Sequence, residues 1–332
     1  MKVAVVGGGI MGSCTTLSLA RRGHTVSCFD MRSPGSSLGR SRIVRQAYPD
    51  EFYTQILLKG HQMWTELEEE LGEQVYHPVG LLYFGPSNAP DVIATEQSLR
   101  SLGVEHSKIG PSDLLLPLLK DDDCGILTPD AGWVAADRVL NGVRKLSENA
   151  GATLVHQKVD RDDIIEFDRI VVCAGPWVRD WLNIQVETSL QTYAYIEGTY
   201  DGPVWIESGP HMLYGFPTEP GATTFKAGVH TPGTIIDPSE DAREPDDWAL
   251  EILIDLAQRR FGVADPVVAE AGCCIYTKAA NDDFKIAWRD ERTLVASPCS
   301  GHGFKFGPWM GEFLSDLIEA KQSLADWPRF TP

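Results

Sequence analysis

The residues best suited to chemistry fall in three short runs. The first is Gly7-Gly8-Gly9-Ile10-Met11-Gly12, a G-x-G-x-x-G pattern directly after the apolar run 2–6. Gly7 permits a tight turn and Gly9 lets the backbone approach a pyrophosphate. Gly12 lets the next helix pack close to the strand, with its N-terminus facing the anion. A second strand over 25–29 ends in Asp30, placed to bind a ribose hydroxyl. The second run is Cys273-Cys274-Ile275-Tyr276-Thr277. Neighbouring cysteines rarely bridge each other, because disulfide geometry strains the peptide between them. Either both are core thiols or one has a function. The third run is Ser300-Gly301-His302-Gly303-Phe304-Lys305-Phe306. Its glycines bracket His302, so the backbone can lie close against a planar ligand. A helix over 307–320 follows, with its N-terminus toward that ligand.

These runs need a scaffold. The β-branched run 2–6 predicts a buried parallel strand and 13–22 a helix. An amphipathic helix is expected over 55–71, where Met63 and Trp64 read as core packing. A strand over 79–85 enters a second region and one over 130–134 returns from it. A helix over 137–149 stops at Gly151. Strands follow at 153–156 and 170–173, the second ending in Ala174-Gly175-Pro176-Trp177. Segments 191–197, 203–207, 212–217 and 223–229 alternate like strands of an antiparallel sheet. A helix over 245–261 opens on Pro245, and a strand over 293–296 brings the chain back to the first sheet.

The 332 residues are 43% hydrophobic, without repeats or low-complexity tracts, enough for a substantial core. A formal charge of -18 disfavours nucleic acid and anionic membrane surfaces as partners. The seven cysteines form no CxxC pair, which argues against a thiolate zinc site, and no H-E-x-x-H or G-x-S-x-G motif occurs. The start runs straight into a strand after a single Lys2, unlike a signal peptide, and no apolar run reaches membrane-spanning length. A reduced, cytoplasmic protein is expected.

After Asp30 a Gly/Ser-rich loop leads into a short segment studded with Arg40, Arg42 and Arg45, "SRIVRQAY". A nicotinamide-binding unit would usually pass quickly to another helix and strand. This segment resembles the amine-oxidising FAD family that contains D-amino acid oxidase and monomeric sarcosine oxidase. The run "SGHGFKF" matches the sarcosine oxidase branch residue for residue, and the resemblance extends from Val3 to about Ile318.

That resemblance implies an α/β (α+β) fold: a Rossmann-type FAD-binding domain (1–75, 136–182 and 275–332) interleaved with an antiparallel-sheet substrate domain (76–135 and 183–274). FAD would be held by Gly7, Gly9, Ile10, Met11, Gly12, Asp30, Arg32, Ser41 and Arg42, with Val159 against the adenine. Ala174, Gly175 and Trp177 would lie beneath the cofactor, and Gly301, His302, Gly303, Phe304 and Lys305 along it. Cys274, Tyr276 and Thr277 match a C-x-Y-T motif whose cysteine forms a thioether to the flavin 8-methyl carbon, leaving Cys273 a packed bystander. Lys226, in a K-x-G-x-H context, would lie over the flavin N5 and activate oxygen. Arg45 and Lys305 would bind a substrate carboxylate, and Arg42 would sit beneath the flavin. Tyr214 and His230 would line the substrate pocket, Tyr214 one residue further from the lysine than the pattern expects. Two departures stand out. Leu38 occupies a position where the sarcosine enzyme carries histidine, and 159–170 is too short for the usual small β-meander. Both imply a different substrate or a reshaped pocket.

The implied activity is oxidation of a secondary or N-methyl amino acid, or a cyclic imino acid, to an imine by a monomer, with O2 reduced to H2O2. The closest rival is a flavin-dependent amino acid dehydrogenase using another electron acceptor. A flavoprotein without turnover is a second. An NAD(P)-dependent dehydrogenase is the weakest, since "SGHGFKF" and "CIYT" have no role in it.

Overall fold

The computed structural model describes residues 1–113, 122–181, 184–239 and 243–331. Its first sheet has six strands, in the order Lys285–Trp288, Thr293–Ser297, Arg169–Val172, Lys2–Val6, Thr25–Phe29 and Thr153–Val155. All neighbours pair in parallel except the first two. Val3, Ala4 and Val5 are fully inaccessible, as a strand covered on both faces requires. Helix Ile10–Arg21 starts three residues earlier than the sequence suggested and packs against helix Gly307–Ile318 on one face.

The second sheet has eight strands: Val268–Ala279, Val186–Glu197, Thr224–Val229, Leu213–Phe216, Val204–Glu207, Leu81–Pro86, Asp123–Thr128 and Ser107–Ile109. The expectation of an antiparallel sheet needs one correction, because Val204–Glu207 runs parallel to Leu81–Pro86. These two strands belong to separate excursions of the chain, so no hairpin forces them to oppose. A small sheet of Ser41–Val44, Gly132–Ala135 and Tyr76–His77 carries the arginine-rich segment between the two large ones. Strand Val268–Ala279 runs unbroken through the domain boundary expected at 275, and the boundary expected at 182/183 lies outside the described residues.

Helix Glu51–Leu71 begins four residues early, because the Asp50 side chain caps it by accepting from the Phe52 N–H (2.8 Å). Helix Asp247–Phe261 starts after Asp246, so Pro245 precedes it instead of occupying its first turn. Between Val159 and Arg169 the chain makes only one 3-10 turn, Asp162–Ile164.

Gly12 carries the close approach read from the sequence. A Cβ there would overlap the Gly7 carbonyl oxygen and press on the Cys173 side chain. The overlap is with backbone, which cannot swing aside as a side chain could. We predict that Gly12→Ala destabilises the protein by about 2–3 kcal/mol, read as a lower denaturant midpoint. An unchanged midpoint would contradict this packing.

Candidate active site

One cavity of about 1040 Å³ lies outside the carboxyl ends of the first sheet's strands, at Val6, Phe29, Cys173 and Ala296. Its opposite wall is the eight-stranded sheet, through Tyr214, Phe216, Lys226, Cys274 and Tyr276. Crevices in this position are where open α/β sheets bind ligands. Of the site residues singled out above, every one lines this cavity except Thr277 and Gly12, the latter serving the packing behind it.

At the glycine-loop end, a Cβ on Gly9 would find only the Ser37 side chain within 4 Å, so the loop is open to a ligand. The Ile10 N–H donates to Ser37 Oγ (3.0 Å). Asp30 Oδ1 accepts from the Arg32 N–H (3.0 Å), and Oδ2 accepts from Arg144 (2.8 Å), whose guanidinium also reaches the Gly8 carbonyl (2.6 Å). The room above Gly9, the amide donors and an oriented carboxylate fit the pyrophosphate and ribose of a dinucleotide such as FAD.

At the other end, Arg45 is buried, and its Nη1 has no hydrogen-bond partner. Its guanidinium lies 4.0 Å over the Tyr48 ring and 5.8 Å from the Tyr83 ring. Lys305 Nζ donates to the His302 carbonyl (2.6 Å) and to Tyr48 Oη (3.1 Å). Burial and the Arg45 charge push the Lys305 pKa well below its usual value. Among the described residues no carboxylate pairs with Arg45 or Lys305. An anion is what this corner lacks.

Lys226 is buried, with Nζ 4.8 Å from the Tyr193 ring centroid and 4.9 Å from that of Phe216. Its hydrogen bonds, to Ser41 O (3.4 Å) and Ser41 Oγ (3.5 Å), are long. Burial, then the charge of Arg42, lowers its pKa to about 8. Arg42 donates to the carbonyls of Ser41 (2.8 Å), Ser36 (3.0 Å) and Leu38, and approaches Cys274 Sγ at 3.5 Å. Alternation along Val268–Ala279 puts Cys274 and Tyr276 on the cavity wall and leaves Cys273 off it. Burial, then Asp246 and Cys274, raises the Cys273 thiol to about 11.

His230 Nδ1 lies 3.4 Å from the Tyr276 hydroxyl. Burial, with Lys278, Arg45 and Lys305 nearby, lowers its pKa to about 3, so the ring is neutral. Burial raises the Tyr214 and Tyr276 phenols, which stay protonated. His302 packs on Phe284, with ring centroids 4.8 Å apart, and burial keeps it neutral as well.

The glycines bracketing His302 line the cavity and also have a cause within the protein. A Cβ on Gly301 would overlap the Tyr276 ring, and one on Gly303 the Pro298 carbonyl. They make room for the protein itself. Trp64 also does more than pack the core, since its indole N–H donates to the Lys305 carbonyl (2.8 Å). Sequence reasoning missed Ser37, Tyr48 and Arg144 as well. Of these only Tyr48 carried a signal, standing three residues after Arg45 in the arginine-rich segment.

The profile of the family described as "DAO: FAD dependent oxidoreductase" matches residues 2–317. Monomeric sarcosine oxidase of a Bacillus species is 29% identical over 95% of this chain and 91% of its own length. Peroxisomal sarcosine oxidase of Mus musculus is 27% identical over 94% and 90%. N-methyl-L-tryptophan oxidase of Yersinia pestis is 25% identical over 98% and 97%. Among solved structures, NikD, described as an unusual amino acid oxidase of nikkomycin biosynthesis, superposes with a TM-score of 0.84 at 23% identity, covering 99% of this chain and 96% of that one. Glycine oxidase of Geobacillus kaustophilus reaches 0.82 at 18%, covering 98% and 97%. These two show the shared fold.

If the Arg45–Lys305 corner takes a carboxylate, propionate stabilises the protein, by about 2.7 kcal/mol at 100 times its Kd. Arg45→Met loses that gain. Propionate raising the melting temperature of both proteins equally would count against the corner.

Proposed function

The chain belongs to the FAD-dependent oxidoreductase family, and from that premise we propose that it oxidises a secondary or N-methyl amino acid, or a cyclic imino acid, to the imine while O2 is reduced to H2O2. The observation that carries this reading is the pair of buried cations, Arg45 and Lys305, without an acidic partner among the described residues, in the same cavity as the buried Lys226.

FAD, when bound, supplies the two-electron oxidation of the carbon next to the amine nitrogen and hands the electrons on. The chain's residues do the rest. Gly7–Met11 and Asp30 would hold the pyrophosphate and ribose, and Cys274 would be the point of covalent attachment. Arg45 and Lys305 clamp the substrate carboxylate, one as a planar fork and one as a point charge. The same two charges disfavour a protonated amine beside them. His230 is neutral and the Tyr214 and Tyr276 phenols are protonated, so that wall adds no charge to hold an ammonium. The amine is therefore bound neutral, and no general base is required from the chain. Lys226 places a fixed cation where negative charge develops on O2. Leu38 on the cavity wall and the single turn over 159–170 support a substrate other than sarcosine itself.

We also place the protein in the cytoplasm as a monomer. All seven cysteines are free, and among the described residues no helix is long and apolar enough to cross a membrane.

The deciding assay is peroxide formation under air with sarcosine, other N-methyl amino acids, proline, pipecolate and glycated amino acids. Flavin bleaching by substrate without peroxide would replace the oxidase with a dehydrogenase using another acceptor. Lys226→Met is expected to slow reoxidation by O2 by about 100-fold or more. Because burial lowers the Lys226 pKa, its charge is present below about pH 8 and lost above it. Wild-type reoxidation falls as pH rises through that value, and the mutant shows no such step.

Attachment is read separately. After acid precipitation the yellow colour stays in the wild-type pellet and moves to the supernatant in Cys274→Ala. Colour in both supernatants would return Cys274 to an ordinary thiol.

A further inference from the structure

Tyr48 is buried and touches both cations of the carboxylate corner. Its ring centroid lies 4.0 Å from the Arg45 guanidinium carbon, and its hydroxyl meets Lys305 Nζ at 3.1 Å and His302 Nδ1 at 3.1 Å. The direction of each hydrogen bond follows from its far end. His302 Nε2 faces the Asp282 carbonyl at 3.0 Å, and a carbonyl only accepts, so Nε2 carries the proton. The neutral ring then accepts at Nδ1, and the Tyr48 hydroxyl must donate to it. The lone pairs of that hydroxyl are left for Lys305. Lys305 is thus fixed at three points, the third being its backbone carbonyl, held by Trp64. A protonated Lys305 has three N–H groups. Two go to Tyr48 and the His302 carbonyl, and one remains for a ligand.

We propose that Tyr48 is the positioning residue that joins Arg45 and Lys305 into a single carboxylate-binding unit, and so sets the preference of this site for ligands carrying a carboxylate. As a claim about substrates, this rests on the reading in the preceding subsection. The ring provides a flat face that keeps the guanidinium plane in place. The hydroxyl converts the fixed tautomer of His302 into a fixed acceptor for Lys305. The surrounding cluster does not depend on that hydroxyl, since Tyr53, Phe284 and Phe306 pack against one another and His302 through their rings. Tyr48→Phe therefore keeps the packing and removes only the relay, whereas Tyr48→Leu removes the flat face as well.

The test uses the flavin-loaded protein and compares propionate with propionamide by thermal shift. It also compares an N-methyl amino acid with its primary amide in turnover. Tyr48→Phe should weaken propionate binding and raise KM for the acid about tenfold, as loss of one hydrogen bond to a charged group would. The kcat should stay within about threefold of wild type, and the amides should change less than about twofold. Tyr48→Leu should exceed Tyr48→Phe on the acids alone. In a Lys305→Met background, Tyr48→Phe should have no further effect on either acid, because its partner is gone. Equal losses for acid and amide, additivity with Lys305→Met, or flavin loss in Tyr48→Phe would each overturn the proposal by making the hydroxyl merely structural. The two failures are distinguishable. If no amine is oxidised yet propionate binding falls in Tyr48→Phe and not further in the double variant, the oxidase reading fails and the role of Tyr48 stands.

Discussion

Burying a positive charge without a negative partner is the constraint on which this site depends. Taking an ion out of water costs several kcal/mol even after the protein relaxes. Elsewhere the chain meets that cost with carboxylates. Arg22 is shared by Glu312, Asp316 and Glu319, and the buried Arg260 lies against Asp123 and Glu207. Around the cavity, Arg42, Arg45, Lys226 and Lys305 receive backbone carbonyls, hydroxyls and aromatic faces instead. Such neutral partners offset part of the desolvation and leave the field uncancelled. The depressed pKa values of both lysines report the remainder. In a protein of charge -18, this positive interior does not follow from composition.

Holding those charges apart is the work of the scaffold. Lys226 projects from the eight-stranded sheet, and Arg42 lies on the small sheet with Arg45 one residue beyond its strand. Lys305 sits in the turn that leads into helix Gly307–Ile318. Three elements from distant parts of the chain therefore meet at one corner. Trp64 ties the helix Glu51–Leu71 to Lys305, and Lys226 reaches Ser41 across the sheet boundary. A cation placed by strand register and a backbone anchor cannot drift toward the nearest surface acid, which keeps it available to a ligand.

Much of this was legible in the sequence where the chemistry is local. The glycine loop, the strand before it and Asp30 lie within thirty residues, and each residue's reason can be stated without knowing the fold. The alternation that separates Cys274 from Cys273 needs only the knowledge that the segment is a strand. What could not be read involves contacts between residues far apart in the chain. Arg144 meets Asp30 across 114 residues, Trp64 meets Lys305 across 241, and Tyr48 meets Lys305 across 257. The glycines of "SGHGFKF" were legible only in part. Their small size was visible but its packing cause was not, because Gly301 faces a tyrosine from a strand of the other sheet and Gly303 the Pro298 carbonyl five residues back. The parallel pair at Val204–Glu207 was hidden for a related reason, since nothing local tells a strand which way its distant neighbour runs.

The two ends of the cavity solve opposite electrostatic problems. At the glycine loop, Asp30 is given a cation, Arg144, that bonds Oδ2 while Oδ1 takes a backbone amide. The carboxylate is oriented and its charge is countered by Arg144, so in the proposed role it would accept hydroxyls without repelling a pyrophosphate close by. At the other end the cations have no carboxylate partner among the described residues, so a carboxylate ligand, as proposed, would supply the missing charge and recover desolvation cost that the fold has already met. One end is balanced before any ligand arrives, and the other is balanced only by the ligand. If the ligand is the proposed amino acid, the imbalance would favour the form whose amine has shed its proton, because the net charge the corner calls for is negative and not zwitterionic. On the proposed reading, selection of the neutral amine would be a property of the whole corner, distributed over Arg45, Lys305 and the uncharged His230, and it would need no residue to abstract a proton.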